Sequence, residues 1–145
     1  MSGFKFGLQR VLDLRADRER DCALALVAAQ GQADAARDAV HALEALRDEA
    51  HTRERVAGTV GQLRQLAYVR EQVERRVELA AVARAAADQQ VERSQQVLAR
   101  AFQERRVLDR LRDKQLDAHR AGEVALDRQT MDDIALARFG RAATE

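Results

Sequence analysis

Proline and tryptophan are absent from these 145 residues, and tyrosine and cysteine each occur once. Without proline, nothing in the chain compels a helix to kink or stop. With four phenylalanines as the only other aromatics, there is little bulk to fill a thick core. A lone Cys22 excludes an intramolecular disulfide and fits a reducing compartment. No apolar run approaches the roughly 20 residues that span a bilayer. Arg10, Asp13, Arg15 and Asp17 interrupt any signal-peptide pattern near the start. The net charge of +1 gives no global attraction to nucleic acid or to an anionic membrane. These absences describe a soluble, cytoplasmic protein with no membrane insertion.

What the chain does have is helix-forming residues in a regular pattern. Ala, Leu, Arg, Glu, Gln and Val dominate, most of them strong helix formers. Charged residues make up 34% and hydrophobic residues 46%, and the spacing of the latter argues against disorder. Cys22, Leu26, Ala29, Ala33, Ala36, Val40 and Leu43 follow alternating steps of four and three, the a/d seam of a coiled coil. Leu8, Leu12, Leu46 and Ala50 extend the seam with small phase shifts. Alanines at its centre allow a partner helix to approach closely. Gly31 falls on the solvent side of this arm and costs about 1 kcal/mol relative to alanine.

A break containing Gly58-Thr59-Val60-Gly61 follows, from about His51 to Gln62, and suits a helix-to-helix turn. Beyond it a second seam runs through positions 73, 77, 80, 84, 87, 91, 94, 98, 101, 105, 108 and 112. Arg84, Ser94, Arg105 and Arg112 interrupt it; Leu63, Leu66 and Val69 lead in, and Leu111 and Leu116 continue it. If the chain folds back near 59–60, facing residue numbers sum to about 119, and apolar positions meet apolar positions along both arms. Arms of roughly 50 residues would make a rod ~75 Å long.

The expected fold is therefore all-α. Two long helices form an antiparallel coiled-coil hairpin over residues 1–121, with the turn near 57–62. A partly flexible C-terminal extension covers 122–145. Gly122 interrupts it, Thr130-Met131-Asp132-Asp133 reads as a helix start with Thr130 as N-cap, and a short, loosely packed helix runs through Phe139 to a frayed end.

Enzyme chemistry finds no support. The seven glycines are scattered, and none falls in GxGxxG or GxxxxGK spacing. The only serines, Ser2 and Ser94, have no histidine or other base at a suggestive distance. His41, His51 and His119 do not group as metal ligands. Cys22 reads as a small seam hydrophobe. Catalytic residues, cofactor and metal are all expected to be absent.

The ends carry more information. Phe4, Lys5, Phe6, Leu8, Arg10, Val11, Leu12, Leu14 and Arg15 crowd the first arm's start, and Arg100 to Arg120 holds seven basic residues against four acidic ones. A hairpin lays these segments side by side, producing a basic, apolar end suited to an acidic or ring-shaped partner. Interleaved acids and the scarcity of aromatics argue against nucleic acid.

The same ends resemble a known family. The stretch Phe4-Lys5-Phe6-Gly7-Leu8-Gln9-Arg10-Val11-Leu12-Asp13-Leu14-Arg15 is similar to an opening "FxLxxLLxxR". Glu104-Arg105-Arg106-Val107-Leu108-Asp109-Arg110-Leu111-Arg112-Asp113-Lys114 is similar to an "ERKxLEKLxEK" segment. Met131-Asp132-Asp133-Ile134-Ala135 is similar to a closing "xDExA", and Leu66-Ala67-Tyr68-Val69 to a mid-chain "xxYL/I" patch. In order and spacing these resemble the FliJ family, the soluble stalk protein of the flagellar type III export ATPase. The second acid of the closing pair is Asp where the family pattern has Glu, and the mid-chain patch has one aromatic only.

The resemblance implies a non-enzymatic stalk and chaperone protein, built like the central γ subunit of rotary ATPases. It implies docking in the export ATPase ring, contact with the membrane-embedded export gate, and handling of export chaperones. It also implies a cytoplasmic location, peripheral to the export apparatus at the inner membrane. Carried over by motif, ATPase docking falls to Phe4, Phe6, Leu8, Arg10, Leu12, Arg15, Arg106, Leu108, Leu111 and Arg112. Gate contact falls to Leu66, Tyr68 and Val69. A generic coiled-coil adaptor or scaffold, and the equivalent stalk of an injectisome, are the alternative readings.

Overall fold

The computed structural model describes residues 3–142. It contains two helices, α1 (Gln9–Val56) and α2 (Val60–Ala142), and no strand among the described residues. The absence of proline and the abundance of alanine and long unbranched side chains let both helices run well beyond ordinary lengths. Helix α1 starts where the Gln9 N–H donates to the Phe6 carbonyl (3.1 Å) and the Leu12 N–H to the Leu8 carbonyl (2.9 Å). Its last turn carries Arg53 and Arg55, which complement the negative pole of the helix.

Only Ala57, Gly58 and Thr59 lie between the helices, so the break is narrower than the sequence suggests. Neither Gly58 nor Gly61 adopts a positive φ, and Gly61 lies within α2. The start of α2 is set by hydrogen bonding instead. The Gln62 N–H donates to Thr59 Oγ1 (3.3 Å), and Gln62 Oε1 accepts the Gly58 N–H (3.2 Å). This exchange satisfies two donors that the helix start would otherwise leave open, in the manner of a capping box. Its sequence signature, Thr59-x-x-Gln62, lies one residue past the glycine that draws attention first.

The two helices pack against each other in two compact units. Unit 2, Arg18–Ala101, contains the turn and the adjoining stretches of both helices. Arg37 reaches Asp88 at 2.9 Å and Arg70 reaches Glu54 at 3.8 Å, an order of contacts that makes the pairing antiparallel. The buried residues here are Ala29, Ala33, Val40, Ala50, Ala101 and Ser94. All seven expected first-arm seam positions in this unit, residues 22 to 43, are buried or half-buried. Across both units, eleven of the twelve second-seam positions are buried or half-buried, including Ser94, Arg105 and Arg112; Arg84 alone is exposed. Helical phase, not the apolar character of each residue, keeps the seam on course.

Unit 1 comprises residues 1–17 and 102–145, described within the limits above. Here too the pairing is antiparallel. The Phe4 and His119 rings meet edge to face, 5.7 Å between centroids, and Arg15 forms an ion pair with Glu104. Phe6 and Leu12 are its buried hydrophobic residues.

Two expectations need correction. The seam does not pass through Leu8 or Leu46, which are 41% and 49% exposed, nor in the second arm through Leu63, Val69 or Leu111, which are also exposed; at the first arm's end Arg47, not Leu46, is half-buried. Among the described residues there is no separate short C-terminal helix. Helix α2 runs through Gly122 and Thr130 without a break, and Thr130 Oγ1 donates to the Leu126 carbonyl at 2.8 Å, the i−4 bond of an interior residue and not the bond of an N-cap. One exposed glycine costs too little to end a helix whose flanks favour it. Of the frayed end expected past Phe139, residues 143–145 lie outside the described residues.

Candidate docking surface in unit 1

All ten residues assigned to ATPase docking fall within unit 1. They divide into two groups by what their side chains already touch. Phe6 and Leu12 are 8% and 5% exposed, so they hold the unit together and present little surface. Phe4 is half-buried against His119, and Leu108 is half-buried on the face that packs on α1. Leu8, Arg10, Arg106 and Leu111 are exposed.

The cations divide in the same way. Arg15 is half-buried and paired with Glu104 across the two helices. Arg112 is half-buried, 3.8 Å from Asp113. Arg105, also half-buried, pairs with Asp109 one helical turn on. Arg106 is exposed, and its guanidinium lies over the Phe102 ring at 5.7 Å, with Arg105 at 5.5 Å from the same ring. Phe102 was not among the residues singled out from sequence. Its signal is the spacing Phe102-x-x-Arg105-Arg106, which brings two guanidinium groups from the next turn, at i+3 and i+4, back to one ring. Arg105, Arg106, Asp109, Arg110, Arg112 and Asp113 line a shallow polar groove on this stretch of α2.

The residues assigned to gate contact lie in unit 2 and do not share one exposure. Leu66 is half-buried, while Tyr68 and Val69 are 64% and 43% exposed.

Among the described residues, no group of three or more His, Cys, Asp or Glu side chains converges to hold a metal ion. His41 lies 3.6 Å from Glu44, His119 lies 3.7 Å from Glu123, and His51 Nδ1 is 2.9 Å from the Arg47 carbonyl, to which it donates in the Nδ1–H tautomer. His41 and His51 are accounted for by their own helix, and His119 also packs against the Phe4 ring. Cys22 is a free, half-buried thiol beside Ala25, Ser94 and Val97. No helix among the described residues is long and apolar enough to cross a membrane.

The family model described as "Flagellar FliJ protein" matches residues 4–144, nearly the whole chain. The chain belongs to the FliJ family. Comparison with curated proteins and with solved structures gave no match. Membership identifies a flagellar, export-related protein, and the match spans both units as well as the exposed end of α2.

Proposed function

We propose that this FliJ-family chain is a non-enzymatic coiled-coil stalk of the flagellar type III export apparatus. Unit 1 docks in the ring of the export ATPase, and the stalk couples that ring to the export gate and to substrate-loaded export chaperones. The observation that carries this reading is the family match over residues 4–144. The gathering of all ten assigned docking residues in unit 1 supports it. A paired helical element within a ring can bias the subunits around it through unequal contacts, which requires a surface and not a pocket. On the same reading, Leu66, Tyr68 and Val69 in unit 2 contact the gate, Tyr68 and Val69 being exposed.

The test is the rate of ATP hydrolysis by the export ATPase with and without the chain. Wild-type chain should raise the rate. Neutralising Arg10, Arg15, Arg106 and Arg112 together should lower the stimulation while helicity by circular dichroism stays unchanged. A wild-type chain that neither binds the ATPase nor alters its rate would refute the docking reading.

A further inference from the structure

Within unit 1, Arg106, Arg110 and Lys114 stand at i, i+4 and i+8 on α2, and all three are exposed. Residues at this spacing share one side of a helix, here a ridge about 12 Å long. The face of α2 that packs on α1 carries Arg105, Leu108, Arg112 and Leu116, all half-buried, so the ridge looks away from the pairing surface. No ion pair holds Arg106, Arg110 or Lys114 among the described residues. The neighbouring carboxylate of Asp109 is engaged by Arg105, and that of Asp113 lies nearest Arg112. Asp109 and Asp113 thus answer cations beside the pairing face, and the ridge cations have no carboxylate partner among the described residues, Arg106 lying over the Phe102 ring.

We infer that Arg106, Arg110 and Lys114, and not the paired Arg15 and Arg112, form the recognition surface of unit 1, and that its partner is a carboxylate-rich face of the ring ATPase. The inference rests on the docking reading above and names the chemistry of that contact. Charge complementarity selects the occupant, because three exposed cations in a row with exposed Val107 beside them suit a protein face bearing acids around a small apolar patch. The bulk charge of +1 means that this local ridge, and not the whole chain, steers the encounter. Arg15 is already committed to Glu104, so its removal acts first on the pairing of the two helices.

The experiment compares three proteins in binding to the purified export ATPase at low and at high salt. They are the wild-type chain, the ridge variant Arg106→Glu/Arg110→Glu/Lys114→Glu, and the paired-cation variant Arg15→Gln/Arg112→Gln. The ridge variant should bind about ten-fold or more weakly at low salt and lose most of the salt dependence, because exposed charges act through a screened field. The paired-cation variant should keep the wild-type salt dependence. Circular dichroism checks that both variants remain helical, and a milder Arg106→Gln/Arg110→Gln/Lys114→Gln protein replaces the ridge variant if charge reversal unfolds it. Wild-type binding that the ridge variant retains with unchanged salt dependence overturns the inference and leaves docking standing. Wild-type binding to anionic lipid vesicles or to RNA in preference to the ATPase overturns the choice of partner. No wild-type binding to the ATPase overturns both readings.

Discussion

The paired helices of unit 2 bury alanine, valine and serine, whereas the paired ends in unit 1 bury phenylalanine and leucine. Small residues let helix backbones approach closely, but each one contributes little apolar area. Unit 2 therefore depends on the length of its seam, with many weak contacts repeated turn after turn. Unit 1 has a shorter first segment and concentrates its packing in a few large side chains. The contrast separates two design problems: in unit 2 tolerance is set by the room available, and in unit 1 by the loss of any single large group.

The largest effect is expected where packing is most concentrated. Leu12→Ala removes most of a side chain that is 5% exposed and should cost about 2–4 kcal/mol, felt mainly as lost protection of unit 1. Hydrogen exchange, read segment by segment, checks the location. Equal loss of protection in residues 18–101 would show that the two units unfold together and would remove the contrast.

The reciprocal change in unit 2 is to add bulk. Ala33 is 1% exposed, the least exposed of the buried residues, and its methyl group faces the opposite helix. Ala33→Leu should cost about 1–3 kcal/mol by forcing the helices apart or the side chain off its preferred rotamer. Urea unfolding followed by circular dichroism measures it. A neutral or stabilising result would mean that the alanine seam has spare room and that close approach is not what alanine is for.

The seam was the most legible part of the sequence because its signal is periodic and needs no partner to be read. It held through Ser94, Arg105 and Arg112, since a helix delivers a position to the interface whatever residue occupies it. It misleads at Leu8, Leu46, Leu63, Val69 and Leu111, where an apolar residue near the seam stands off the phase of the helix. The turn was legible as a region but not as a mechanism. Glycine pointed to it, yet the Thr59–Gln62 hydrogen bonds define the start of α2. For the docking residues, the motif names segments that fall in one unit but cannot tell buried Phe6 and Leu12 from exposed Leu8 and Arg106, because that depends on what the opposite helix covers. Phe102 lies between motif positions, where no motif points to it.

The smallest effects come from two glycines that lie inside helices for no visible packing reason. At Gly31 and at Gly122 an added methyl group would meet nothing within 4 Å. Each replacement by alanine should favour the helix by about 1 kcal/mol, through lower backbone entropy in the unfolded chain and better helix propensity. The readouts should nevertheless differ. Gly31 sits in α1 between Ala29 and Ala33 of the buried seam, so Gly31→Ala stabilises a packed, cooperative unit and should raise its Tm by roughly 2–5 °C. Gly122 lies near the start of a stretch of α2, residues 121–139, in which every residue is exposed and no packed core is coupled to the gain. Gly122→Ala should therefore raise helical signal at low temperature and slow amide exchange locally, with little change in the main melting transition. A shift of that transition as large as the one from Gly31→Ala would mean that the exposed end of α2 melts cooperatively with the paired helices despite lacking their contacts.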